Sequence, residues 1–423
     1  MPNGRYIVRE LYFDHTTSIT LMGTGRANNC CVLKYIGTSY CLNIHGNTHL
    51  KVENICIINN NDTPEENSGG IRLYDRYENI PIENNPTDSR NNDIIFNGLK
   101  IVGFQRGIAL DSPCGYVSIN ETLIEQIRPD GLAISIGEFY NMSHRNSGRY
   151  TVPPSYIYIN KVFCGGDEWI DATKGNHVRA LIGIYYGSCI YISDCDFCNM
   201  YNGNAIYCND EKGDCLDIYL YDNDFFNIKE AILFEMSSNN ANRTMSNIHS
   251  RSNRYFVGSW EESTPITIKG NSSRAIYGFS SVGDTFRANE SKCYKEIYKI
   301  EYARNIQIEG YSITPNADFF DLWSSSLYSF NNVTNIAGTK SLTFYLKDAV
   351  TSSSGMITVP IRYNIWKYTP SVLCNISDLL SSYYNVTVSS INDNSVTLRF
   401  RRLGDGSAVA DTSITSRITL MGL

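Results

Sequence analysis

Leu181-Ile-Gly-Ile-Tyr185, Cys189-Ile-Tyr-Ile-Ser193, Asn204-Ala-Ile-Tyr-Cys208 and Leu216-Asp-Ile-Tyr-Leu220 state one phrase twice: a short apolar strand, then an alternating one. The apolar half recurs as Gly107-Ile-Ala-Leu-Asp111, Gly131-Leu-Ala-Ile-Ser135 and Glu230-Ala-Ile-Leu-Phe234. The alternating half recurs as Tyr116-Val-Ser-Ile-Asn120 and Tyr156-Ile-Tyr-Ile-Asn160. Gly107 and Gly131 stand 24 residues apart, and Asn204 and Glu230 stand 26 apart. A period in the twenties without helical spacing is the mark of a solenoid. Period-2 alternation makes it an all-β one. The expected fold is a right-handed parallel β-helix, a coil whose core grows along its axis.

Outward from the central phrases, rungs run from about Ile71 to Thr314, and residues 1–60 already read as β. Ser18-Ile-Thr-Leu-Met-Gly-Thr-Gly25 and His49-Leu-Lys-Val-Glu-Asn-Ile-Cys-Ile57 alternate cleanly. Polar insertions interrupt the phrase at 75–92, 137–154 and 165–179. Beyond about Gly338 the phrase gives way to longer, less regular strands with turn signals such as Asn392-Asp-Asn and Gly404-Asp-Gly. The chain therefore divides into a β-helix over 1–337 and a small β-sandwich over 338–423.

Composition narrows the function. The net charge of −7 is spread without a basic stripe, so nucleic acid is not an expected partner. No run approaches 18 apolar residues, so no membrane-spanning helix is expected. The start, Met-Pro-Asn-Gly-Arg-Tyr, lacks a signal-peptide layout. Of the 13 cysteines, several fall in strands, and Cys195-x-x-Cys198 lacks the second pair that a zinc finger needs. Reduced thiols packed as small hydrophobes are expected, with no metal and no cofactor.

Pro2-Asn-Gly-Arg-Tyr6 followed by Ser18-Ile-Thr-Leu-Met-Gly-Thr-Gly25 resembles the first rung of the pectate-lyase-like β-helix proteins, and within them the tailspike depolymerases of bacteriophages. A long β-helix followed by a short sandwich is also the order found in such spikes. The resemblance implies a homotrimer at the virion tail, made in the host cytoplasm, that cleaves a bacterial surface polysaccharide, capsule or O-antigen. It also implies that residues 1–337 carry glycan binding and catalysis, and that 338–423 serve trimerisation or carbohydrate binding. The first rung is already under way at the start of the numbering. A trimmed boundary, or docking on another tail protein, is therefore expected. The family has no universal catalytic motif, so the site must be read from this chain's own residues.

Aligning the apolar strands on Ile108/Leu110, Leu132/Ile134, Ile182/Ile184, Ile206/Cys208 and Ile232/Phe234 as inward pairs gives two outward columns. One reads Ala109, Ala133, Gly183, Tyr207, Leu233, a low floor suited to a glycan chain. The other reads Asp111, Ser135, Tyr185, Asn209, Glu235. Glycoside hydrolysis needs two carboxyl groups flanking the scissile bond. Glu138, Asp167, Glu168, Asp171 and Glu235 are the candidate pool, with Trp169 placed to stack on a sugar or raise a carboxyl pKa. Asp111, His144, Arg145, Trp169, His177, Arg179, Tyr185 and Tyr207 are candidates for substrate binding. His144, His177, Arg179 and Tyr185 would also serve the competing chemistry, β-elimination on a uronic acid, which needs a base beside a cation. Hydrolysis is favoured because carboxylates outnumber such bases. A glycan-binding adhesin without catalysis stays open.

Overall fold

The computed structural model describes the chain apart from residues 28–29, 62–67, 75–89, 112, 140–152, 166–177, 238–241, 258–261, 289–292, 295, 311, 315–327, 338–339, 361–370, 376–383, 393–394 and 423. Twenty-nine strands form one parallel sheet system that coils on itself, the expected right-handed β-helix. Each turn passes through sheets A, B and C in chain order, and in Asp196–Asn209 and Asp224–Glu235 the A and B segments run on as one strand. Leu123–Glu125, Leu132–Ile136 and Ser155–Asn160 make one turn, and Phe163–Gly165, Ala180–Ile184 and Gly187–Ser193 stack on them in register. Among the described residues no helix is long and apolar enough to cross a membrane.

The two halves of the recurring phrase are sheets B and C. Sheet C strands alternate because one face packs inward and the other meets solvent, as in Ser155–Asn160. Sheet A was not legible: strands such as Lys100–Val102 and Leu123–Glu125 have three residues each, too few to show a period. The core is a set of columns. Ile71, Ile108, Ile134, Ile182, Ile206 and Ile232 stack along sheet B. Phe197, Phe225, Tyr255 and Phe286 stack along sheet A with ring centroids 5.3, 4.8 and 4.9 Å apart. Cys41, Cys56, Cys114, Cys164, Cys208 and Cys215 are buried free thiols in or against these columns.

The corners are tied by buried amide ladders. The Cys195 N–H donates to Asn223 Oδ1 (3.0 Å), the Asn223 N–H to Asn253 Oδ1 (2.9 Å), and the Asn253 N–H to Asp284 Oδ1 (2.8 Å). All three acceptor side chains are fully buried, so each must find such partners. Sheet C also carries a column of left-handed residues at the same point of successive strands, including Tyr116, Tyr156, Cys189, Asp217 and Asn247, with φ between 52° and 57°. The ladder pairing skips each of them on both strands alike, so the register is kept and the same kink repeats turn after turn.

After Tyr328–Ala337, the last parallel strand, pairing turns antiparallel. Strand 413–422 pairs with 340–350 and 371–375, and strand 395–402 with 356–360 and 384–391. Val396, Leu398 and Phe400 from one sheet and Ile414, Ile418 and Leu420 from the other are buried, as two packed sheets require.

Candidate functional site

Sheet B is buried on both faces over the central turns. Every position of Arg106–Leu110, Leu132–Ile136 and Ala180–Ile184 is buried, although only one face of each strand can look into the coil. What covers the outer face is a charged and aromatic cluster.

The register first corrects the sequence alignment. Arg106 pairs with Leu132 and Ile108 with Ile134, so the inward pair of that strand is Ile134/Ile136 rather than Leu132/Ile134. Ala133 belongs to the core, and Leu132 packs outside the coil against Ala180 and Tyr185. The glycines misled the alignment: Gly107 lies inside its strand, whereas the Gly131 N–H closes a turn onto the Arg128 carbonyl. A slip of two residues preserves the alternation, so periodicity could not expose it. The floor column therefore reads Arg72, Ala109, Ser135, Gly183, Tyr207, Leu233. Small residues still form its centre.

Glu138 closes over this floor. Gly137, at φ 69°, turns the chain out of sheet B where a Cβ would stand 2.6 Å from the Tyr186 carbonyl oxygen. Glu138 then meets Arg106, which donates from Nε to Oε2 and from Nη2 to Oε1, both at 2.7 Å. Arg179 Nη2 donates to the same Oε1. Burial alone would push the Glu138 carboxyl up, but hydrogen bonds and charge from Arg106, then Arg179, outweigh it and hold the group below its ordinary value. Asp111, fully buried, accepts from Arg72 Nε at 2.8 Å and from the Phe139 N–H at 3.3 Å. Burial drives its carboxyl up against the pull of Arg72. The Phe139 ring stands beside both guanidinium groups, 5.8 Å from that of Arg72 and 5.6 Å from that of Arg106.

Tyrosines complete the cover. The Arg179 guanidinium lies 5.3 Å from the Tyr185 ring centre, and Tyr185 meets Tyr207 edge-on at 5.9 Å. Gly183 makes room beneath, since a Cβ there would come within 2.9 Å of the Tyr185 ring. Burial pushes the Tyr185 and Tyr207 phenols up, so both stay protonated. Tyr40 sits on Gly69 under Arg72, where a Cβ would come within 2.1 Å of its ring. Tyr40 Oη, Ser135 Oγ, Arg179 Nε and Tyr185 Oη are buried with no hydrogen-bond partner among the described residues.

Of the residues named from sequence, the structure brings Asp111, Glu138, Arg179, Tyr185 and Tyr207 together. Glu235 belongs to the same outward column but lies three turns beyond Gly137, about 14 Å at the ordinary strand spacing. There it pairs with Lys269. His144, Arg145, Asp167, Glu168, Trp169, Asp171 and His177 lie outside the described residues. They belong to the stretches 140–152 and 166–177. Sequence reading missed Tyr40, Arg72, Arg106 and Phe139. Arg106, an arginine directly before an all-apolar strand, was the one available signal. Further along, a cleft of about 570 Å³ opens where sheets B and C meet, lined by Arg243, Arg274, Tyr277, Tyr302 and Arg304. Arg274 Nη1 is anchored there on buried Asp210 at 2.6 Å.

No known family model matches the chain, and no curated protein sequence matches it. Among solved structures it is similar to the tailspike protein of E. coli bacteriophage HK620 in complex with pentasaccharide, at 12% identity and a TM-score of 0.49, over 98% of this chain and 69% of that one. A double mutant of the same tailspike, also in complex with pentasaccharide, aligns at 11% identity with a TM-score of 0.49. The tailspike protein gp49 from Pseudomonas phage LKA1 aligns at 11% identity with a TM-score of 0.35, over 95% of this chain and 67% of that one. All three of these solved structures are tailspike proteins of bacteriophages.

Proposed function

We propose that this chain is a tailspike-type depolymerase that binds a bacterial surface polysaccharide on the outer face of sheet B and hydrolyses it there. The observation that carries the reading is the buried Arg106–Glu138–Arg179 cluster with Asp111–Arg72 beside it. A β-helix needs no such cluster on its outside, and burying charges costs several kcal/mol per ion before pairing. Stability therefore does not account for it, and perturbed carboxyls in a covered, aromatic-lined site support catalysis.

Two carboxyls with opposed environments suit an acid and its partner. Asp111, raised by burial, is the proposed proton donor to the glycosidic oxygen. Glu138, held ionised by two arginines, is the proposed carboxylate that activates water or stabilises positive charge at the sugar. The buried Tyr40, Ser135 and Tyr185 hydroxyls would find partners in a sugar unit seated under this cover, and the half-buried Tyr207 ring offers a stacking face. The arginine-lined cleft at the B–C corner would receive further units of an acidic glycan. Elimination is the less favoured chemistry, because Glu138 already occupies the Arg106 and Arg179 guanidinium groups and Tyr185 is a protonated phenol rather than a base.

Viscosity loss and new reducing ends are expected when the protein meets a polysaccharide from a susceptible strain. Asp111→Asn and Glu138→Gln should each slow this by about 10²–10⁴-fold. A product absorbing as an unsaturated uronate would instead establish elimination. If both variants keep wild-type rates, the reacting carboxyls are those of Asp167, Glu168 or Asp171. Retained glycan binding with no cleavage on any strain would leave an adhesin.

A further inference from the structure

We propose that Asp14, His15 and His45 bind one divalent transition-metal ion, of the zinc class, at the N-terminal end of sheet B. Strand pairing of Asp14 with His45 brings together residues 31 positions apart in the chain. One ligand atom from each of the three lies within 4.8 Å of the others. His15 Nε2 and His45 Nε2 stand 3.7 and 4.0 Å from Asp14 Oδ1. Those spacings are too long for hydrogen bonds. They approach the separation of about 3.4 Å between ligands that share a tetrahedral ion with bonds of about 2.0–2.1 Å.

The surroundings orient both imidazoles. His45 is fully buried, and its Nδ1 lies 3.1 Å from the Tyr74 carbonyl oxygen. A carbonyl only accepts, so Nδ1 carries the proton and Nε2 the lone pair, on the side of Asp14 and His15. A backbone carbonyl on the far nitrogen is the usual support of a metal-binding histidine. His15 takes a left-handed backbone, φ 46°, with its N–H on the His45 carbonyl at 2.9 Å. Its ring seats on Gly46, where a Cβ would stand 2.6 Å from Nδ1. The two rings consequently meet edge to face at 4.8 Å.

Two imidazole nitrogens and one carboxylate oxygen suit zinc and its neighbours better than calcium or magnesium. Coordination needs these separations to shorten by about 0.3 to 1.4 Å, which the partly exposed Asp14 and His15 side chains can supply, and a fourth position would be taken by water. The ion would clasp the first turn to the second. The first turn is poorly covered, with Ile7 71% and Tyr12 61% exposed.

The test is cobalt(II) and zinc(II) titration of the chelator-treated full chain, followed by visible spectroscopy, calorimetry and thermal melting. One equivalent is expected to bind, with cobalt ligand-field bands, no thiolate charge-transfer band and a higher melting temperature. His15→Ala and Asp14→Asn, both at exposed positions, should melt like wild type without metal yet bind roughly 10- to 100-fold more weakly or worse. His49→Ala, outside the cluster, should bind as wild type does. Binding unchanged in His15→Ala and Asp14→Asn, a thiolate band, or no binding at all would overturn the proposal.

Discussion

At the scale of single residues, Glu138 separates two effects that mutagenesis often confounds. Replacing it with Ala leaves Arg106 buried without its bidentate partner, and breaking a buried pair in this way costs about 3–5 kcal/mol. Glu138→Gln keeps an acceptor for the guanidinium and should cost far less stability, while still removing the charge. Comparison of the two by urea unfolding, with turnover measured in parallel, is expected to show similar loss of activity at very different stability. Asp111 predicts the form of the pH profile. Its carboxyl loses its proton above the ordinary aspartate range, so activity should fall on the alkaline side of the optimum. That limb should disappear from whatever residual activity Asp111→Asn retains.

At the scale of the element, the corner ladder ends in a group that titrates. Burial raises the Asp284 carboxyl to about 6, against hydrogen bonds from Ser281, Ser250 and Asn253. An acid whose pKa is higher folded than unfolded takes up a proton on folding between the two values. Its contribution to stability is therefore greatest below about 4 and is lost as pH rises through about 6. The gap to the unfolded value is equivalent to roughly 3 kcal/mol. Asp284→Asn can accept from the Asn253 N–H at every pH, so the difference in urea midpoint between variant and wild type should grow from pH 4 to pH 7. A constant difference would mean that Asp284 stays ionised throughout. The core stack nearby is plainer: Phe225→Ala, between Phe197 and Tyr255, should cost about 3–5 kcal/mol.

At the scale of the molecule, the proposed trimer needs a face for contact, and sheet C offers one. Tyr116 and Tyr156 stack at 5.0 Å and remain 54% and 41% exposed. Tyr158, Tyr191, Tyr219 and His249 continue as a second stack. Packing three coils through sheet C would leave sheet B open to glycan. Light scattering should give three times the chain mass, and a stable monomer at micromolar concentration would count against this arrangement. The coil was legible in sequence because sheets B and C each repeat a five-residue phrase, one apolar and one alternating. Sheet A was not, because strands such as Lys100–Val102 and Leu123–Glu125 are too short to show a period. Glu138, Arg179 and Tyr185 were visible as neighbours of one strand phrase. Arg72, Arg106 and Tyr40 were not, because they approach these residues only through stacking of turns, which one strand's alternation does not number. The same reason hid Asp14 and His15 from His45.

The insertions depart where the pairing is already complete on both sides. Leu73 and Leu110 are in register before the stretch 75–89, and Asn91 and Cys114 are in register after it. The same holds across 140–152, between the Ile136–Ile184 and Ser155–Ser188 pairs. Segment length at these corners is therefore uncoupled from the pitch of the rod, and a longer excursion costs only slowly growing closure entropy. The coil is in effect a cassette holder. Exchange of either segment for one of different length should leave the melting temperature nearly unchanged while altering which strains are cleared. Recombination at two short stretches would then be enough to move such a protein from one host surface to another.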